Sequence, residues 1–186
     1  MEECTDQEVQ RMLPLVSEQR REQALRYKHT LGQFCCLKSW LMLYELLDEG
    51  MRGLMDEWEY NEHGKPFLHR TPYTVHFSIS HCKEGIAVAV NDKPIGVDIE
   101  AIRHADAELI ARTMNEKEQQ QIHSDRDFTR LWTQKEAIVK WRGTGIESFE
   151  QLQNLLIPAF DRDVNKPDIL QTFEKEKYIY SIAYGY

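Results

Sequence analysis

Two carboxylates, Asp98 and Glu100, stand two residues apart in Ile95-Gly96-Val97-Asp98-Ile99-Glu100, and a third, Glu136, lies four residues before Lys140. Side chains alternate along a strand, so Ile95, Val97 and Ile99 face one way and Gly96, Asp98 and Glu100 the other, with the two carboxylates roughly 6.5 to 7 Å apart at their backbones. Like charges this close repel unless a cation, a proton or a basic partner lies between them. A hard divalent cation is the simplest resolution. Magnesium takes one or two protein carboxylates and completes its shell with water and phosphate oxygens. Trp132, Glu136 and Lys140 recur every four residues and form one stripe on a helix. The plain alternatives are a solvated acidic pair on an edge strand and an ordinary intrahelical Glu–Lys pair of little energetic weight.

The chain around these residues has 186 residues, enough for one domain or two small, intimately packed halves. Its 23 Lys plus Arg against 31 Asp plus Glu leave a net charge of -8, which argues against generic affinity for nucleic acid or an anionic membrane. An anionic partner must therefore meet a local basic patch. Cys4, Cys35, Cys36 and Cys82 show no CxxC spacing and read as free thiols of a reducing cytosol. With no apolar run long enough to span a bilayer and an acidic N-terminus unlike a signal peptide, the expected location is cytoplasmic.

Thr5 and Glu8 fit a capping box for a helix over 6–13, before Pro14. Ser17 can cap the next segment, whose Arg20, Arg21, Arg26 and Lys28 form either a solvated face or a surface for phosphate or an acidic protein. The apolar pattern over 31–47 predicts a buried helix ended by Gly50 and Gly53. Gly64-Lys65-Pro66 is a turn that presents a cation beside a rigid proline. Strands are expected over 73–80, 85–90 and 94–100, with a turn at 91–94, as an antiparallel meander. Ser80 and His81 then end the first strand facing a cleft, and two sequence neighbours do not make a triad.

Beyond the meander, helices are expected over 105–114, from 115 to include Ile122, and from an Asp127 cap to about Trp141, the last ended by Gly143 and Gly145. Two further strands cover 169–173 and 178–184, with 174–177 as their exposed connection. Gly96, on the carboxylate face and lacking a side chain, would leave room for substrate.

Taken together, Gly64-Lys65-Pro66, Phe77-Ser78-Ile79-Ser80-His81, Gly96-Val97-Asp98-Ile99-Glu100 and Trp132-Thr133-Gln134-Lys135-Glu136-Ala137-Ile138-Val139-Lys140 resemble, in order, the motifs of the larger, surfactin-synthetase-activating 4'-phosphopantetheinyl transferases. The resemblance covers roughly 17–146. It implies an α+β fold, a pseudodimer of two similar halves, each a helix packed on a small antiparallel sheet. The halves are residues 1–92 and residues 93–186, the latter carrying the carboxylates, with the active site between them. It implies a monomer that takes magnesium, with manganese as a substitute, and coenzyme A as co-substrate, and whose partner is an apo acyl, peptidyl or polyketide carrier protein.

By the same resemblance, Asp98, Glu100 and Glu136 would hold the metal, Lys140 would contact the pyrophosphate, and Lys65, Pro66, Ser80, His81 and Arg20 would hold the nucleotide end. Glu136 and Lys140 would be catalytic, the first as base toward the carrier serine, the second at the departing phosphate. The chain departs from the family pattern at Gln23 and Cys35-Cys36, where basic and hydroxyl residues are expected, and lacks the usual apolar first strand. The alternatives are a magnesium-dependent nucleotide phosphohydrolase and a non-catalytic carrier-binding homologue. A basic surface using Arg20, Arg21, Arg26 or Arg103 would meet the carrier.

Overall fold

The computed structural model of the chain describes residues 4–53, 55, 58–68, 75–156 and 167–185. The first helices start where hydroxyl caps stand. Thr5 accepts from the Glu8 amide at the start of α1 (Asp6–Met12), and Ser17 accepts from the Arg20 amide at the start of α2 (Glu18–Leu25). The long helix α3 (Thr30–Leu46) buries Phe34, Leu37, Trp40 and Leu43. It stops at Leu47, not at Gly50: Leu47 turns to extended backbone while its side chain stays buried, and Gly50 lies inside the short helix α4 (Glu49–Arg52).

The Gly64-Lys65-Pro66 turn joins two short antiparallel strands, β1 (Trp58–Tyr60) and β2 (Pro66–Leu68). A hairpin of β3 (His76–Cys82) and β4 (Gly85–Asn91) follows, packed on α3 through Phe77, Val88 and Val90. The expected start of β3 at Tyr73 lies outside the described residues. The carboxylate strand β5 (Ile95–Ala101) does not continue a meander from β4. It pairs along one edge with β7 (Tyr178–Tyr184), which pairs in turn with β6 (Ile169–Glu174), giving the order β5-β7-β6.

The other edge of β5 meets β3 through side chains. The Val97 amide donates to Ser78 Oγ at 3.0 Å and the Ile99 amide to Ser80 Oγ at 3.4 Å. Two serine hydroxyls thus take the place of ladder carbonyls and satisfy amides that burial would otherwise leave orphaned.

Between β5 and β6 come α5 (Ala107–Thr113), α6 (Glu116–Gln119), α7 (Asp125–Arg142) and α8 (Phe149–Asn154). Asn115 and Glu118 close a capping box around α6, and Ile122 falls beyond its end. The cap of α7 is Ser124 rather than Asp127. Ser124 Oγ accepts from the Asp127 amide, and Asp127 Oδ2 accepts in return from Ser124 Oγ and the His123 amide, so the helix begins three residues earlier than expected.

Helix α7 lies across β5 and β7. Beneath it, buried Thr133 and Ser181 and half-buried Thr172 share a hydroxyl chain, while Ala137, Ile138 and Val139 pack with Leu152 and Ala183. Lys135 points away from the carboxylate strand. It is fully buried, paired with Glu118 at 2.8 Å and bonded to the Leu152 carbonyl, which ties α6 and α8 to the back of α7. The fold is α+β, with long helices on small antiparallel sheets as expected. Among the described residues no helix is long and apolar enough to cross a membrane.

Candidate active site

The close approach of α7 to β5 begins at Gly96. A Cβ there would lie 2.0 Å from the Ala137 carbonyl oxygen and 2.3 Å from the Trp141 amide nitrogen. Gly96 therefore makes room for helix backbone rather than for substrate. With the helix seated this deeply, the Glu136–Lys140 stripe falls beside Asp98 and Glu100.

Lys140 Nζ reaches Asp98 Oδ1 on β5 at 2.6 Å and Ser80 Oγ on β3 at 2.8 Å, and Ser80 Oγ donates to the same Asp98 oxygen at 2.9 Å. Ser80 is thereby saturated: its one hydrogen goes to Asp98, and its lone pairs accept from Lys140 and Ile99. Asp98 is buried, and its second oxygen, Oδ2, has no hydrogen-bond partner among the described residues.

Burial raises the pKa of Glu136, helped by the field of Asp98 and Glu100 against the opposing cations Lys140 and Arg103. Burial also raises that of Glu100, again with Asp98, while Arg103, the Trp132 indole N–H bonded to Glu100 and Lys140 act the other way. Glu136 and Glu100 are thus disfavoured as anions first by burial and then by a neighbouring carboxylate. All three carboxylates offer only oxygen donors, and one buried oxygen is unpartnered, which suits a hard divalent cation. As the side chains lie, no three His, Cys, Asp or Glu groups among the described residues enclose an ion. The Lys140 ammonium sits on Asp98 instead.

The remaining predicted positions surround this centre differently. Lys65 and Pro66 line a cleft of about 280 Å³ together with Ser78, Glu136, Lys140 and Gly143. Lys65 donates to the carbonyls of Ile95 (3.1 Å), Lys140 (2.6 Å) and Trp141 (3.4 Å), and burial lowers its pKa to about 8. His81 is exposed at the end of β3, and its pKa is lowered first by the protein packed around the ring, then by the fields of Lys140 and Arg20.

Arg20 is not a surface cation. Its guanidinium bonds the Cys36 carbonyl through Nε and Nη2 and Gln23 through Nη1, and lies 4.6 Å from the centre of the Trp40 ring. It therefore cannot serve the basic carrier-facing surface with Arg21, Arg26 and Arg103. Cys36 and Gln23, two of the departures from the family pattern, are its partners, and Cys35 is buried in the same core. Sequence reasoning gave no role to Ser78 or Asn61. Each carried a signal: Ser78 shares a strand face with Ser80, and Asn61 precedes a glycine turn in which an Asx side chain can bind backbone amides.

The fold and site define an α+β protein with three carboxylates and a lysine gathered where strand β5 and helix α7 meet the serine-bearing strand β3. Residues 94–184, which hold the carboxylates and Lys140, match the family model of the 4'-phosphopantetheinyl transferase superfamily, and this stretch of the chain belongs to that superfamily. The 4'-phosphopantetheinyl transferase psf-1 of Bacillus pumilus is 29% identical over 147 residues, covering 75% of this chain and 63% of its own length. A 4'-phosphopantetheinyl transferase of Bacillus subtilis is 30% identical over 152 residues, 75% and 65% of the two chains. The 4'-phosphopantetheinyl transferase AcpT of Escherichia coli O157:H7 is 38% identical over 114 residues, 56% and 57%. The chain thus spans less than two thirds of the length of these relatives.

Proposed function

We propose that the chain transfers the 4'-phosphopantetheine group of coenzyme A to a serine of an apo acyl, peptidyl or polyketide carrier protein. The observation that carries this reading is the meeting of Lys140, Asp98 and Ser80 across the β3–β5 seam, with Glu136 and Glu100 in the same field. The seam lies between an N-terminal half, residues 1–92, and a C-terminal half, residues 93–186, and a ligand held there touches both.

Asp98, Glu100 and Glu136 would hold magnesium, or manganese in its place, and the bound ion supplies charge neutralisation for the coenzyme A pyrophosphate. Glu136, its proton affinity raised by burial, accepts the proton of the carrier serine. The serine oxygen bonds to the β-phosphorus, the bond from that phosphorus to the oxygen bridging to the α-phosphate breaks, and adenosine 3',5'-bisphosphate departs with the bonding electron pair. Lys140 offsets charge on the departing phosphate. Lys65 and Pro66, which line the cleft, would hold the nucleotide end together with Ser80 and His81, and the field of Arg20 reaches His81. No serine of this chain needs activation, because the nucleophile arrives on the partner. That accords with Ser80 having its hydrogen committed to Asp98.

The test is the intact mass of an apo carrier after incubation with the chain, coenzyme A and magnesium. A phosphopantetheine adduct is expected, and Glu136→Gln should abolish it. Release of free phosphopantetheine from coenzyme A, with the carrier left unmodified, would establish a hydrolase instead, and coenzyme A binding with neither product a non-catalytic homologue.

A further inference from the structure

A helix ends with carbonyls that have no intrahelical partner, and those of α7 find theirs in another part of the chain. Its backbone closes at Gly143, whose φ of +74° is the left-handed cap that glycine allows. The carbonyls of Lys140 and Trp141 accept from Lys65 Nζ, and the carbonyl of Gly143 accepts from Asn61 Nδ2 at 2.8 Å. Both donors sit on the turn between β1 and β2.

That turn is itself organised by Asn61. Its Oδ1 accepts from the amides of His63 (3.0 Å) and Lys65 (2.8 Å), and its backbone exchanges bonds with Lys65 and Gly64. With Oδ1 occupied by two amide donors, the amide nitrogen must face Gly143, so the orientation of the group is settled by its bonds. The fit is close on the other side as well: a Cβ on Gly143 would lie 3.0 Å from Lys65 Cδ and 3.5 Å from Asn61 Nδ2.

We propose that the turn 61–65 is an imported C-cap that positions Lys140, with Asn61 as a positioning residue for the transfer reaction; the catalytic part of this inference rests on the function proposed above. Lys140 is held and holding at once. Its carbonyl is fixed by Lys65, and its ammonium reaches Asp98 and Ser80. An ammonium at the end of a side chain takes its place from the backbone that carries it. Loosening the last turn of α7 therefore displaces the charge that meets the departing phosphate, while leaving the surface open to the carrier unchanged.

Asn61→Asp is the discriminating variant, because it keeps the Oδ1 acceptor that organises the turn and replaces the donor to Gly143 with a carboxylate oxygen. Hydrogen exchange of the full-length chain, read by NMR, should show the Trp141, Arg142 and Gly143 amides exchanging about tenfold faster or more, with the α3 amides unchanged. Transfer should fall about tenfold in kcat, with KM for the carrier within about twofold of the parent. Asn61→Ala, which removes the donor and the Oδ1 acceptor together without adding charge, should move both readouts at least as far in the same direction and serves if the aspartate variant does not fold. Unchanged exchange at 141–143 would overturn the cap, and faster exchange with undiminished kcat would overturn the positioning role. A parent chain that modifies no carrier would overturn the proposed function instead, with the exchange arm still deciding the cap.

Discussion

Gly96 lies directly beneath Ala137, so close that a single added carbon would stand 2.0 Å from the Ala137 carbonyl oxygen. Helix α7 and strand β5 are thereby in backbone contact, and the distance between the Glu136–Lys140 stripe and the Asp98–Glu100 pair is set by a missing side chain.

Gly96→Ala should accordingly displace the helix. Overpacking a filled site costs about 1–3 kcal/mol, and a clash with backbone on two sides belongs at the upper end, about 3 kcal/mol. Urea denaturation is the measurement. A midpoint equal to that of the parent would show that α7 does not sit at this depth.

Lys140→Met removes the ammonium from a buried Asp98 and leaves that carboxylate without its ion pair. Breaking a buried pair costs about 3–5 kcal/mol; the Lys140 side chain keeps 29% exposure, so solvent screening brings the expected loss to about 1–3 kcal/mol. Added magnesium should restore more stability to this variant than it adds to the parent, since a cation bound only by the folded state stabilises by mass action. Equal magnesium responses in thermal melts would remove the case for a cation at Asp98.

Lys65 has its pKa lowered by burial from 10.5 to about 8. Between about pH 8 and 10.5 the unfolded chain binds this proton and the folded chain does not, so the Lys65 contribution to stability rises with pH across that window and is absent below it. Other groups titrate in the same range, and the difference between the parent and Lys65→Met isolates the effect. Stability measured from pH 7 to 10.5 should climb more steeply in the parent than in the variant. Parallel curves would mean that the ammonium is not desolvated.

Arg20→Lys keeps a positive charge but cannot reproduce the guanidinium fork on the Cys36 carbonyl and Gln23. A loss of about 1–3 kcal/mol is expected in denaturation, with KM for coenzyme A within about threefold of the parent because the charge remains. Unchanged stability with a large rise in KM would instead make Arg20 a direct phosphate contact.

Much of the local structure was legible because it rests on short-range chemistry. The caps at Thr5 and Ser17, the glycine stop at Gly143 and the alternation in β5 each depend on a few neighbouring residues. The errors occurred where neighbours compete or where distant segments decide. Ser124 outcompeted Asp127 for the start of α7, three residues away. Gly50 carried a stop signal, but burial of Leu47 ended α3 before it.

The sequence by itself determined the residue types of the site, the face of β5 that carries Asp98 and Glu100, and the helical stripe of Glu136 and Lys140, since strand and helix periods are local properties of the backbone. The tertiary structure alone decided what those groups touch. It paired β5 with β7 rather than β4, closed the remaining edge with Ser78 and Ser80, and turned Arg20 inward onto Cys36. It also turned Gly96 from an opening for substrate into a seat for α7 and brought Asn61 and Lys65 to the end of that helix. These contacts join residues up to 89 positions apart, as between Ile95 and Tyr184, and 82 apart between Asn61 and Gly143. They are fixed by which buried donors and acceptors must find partners once the whole chain is packed, and no local spacing records that requirement.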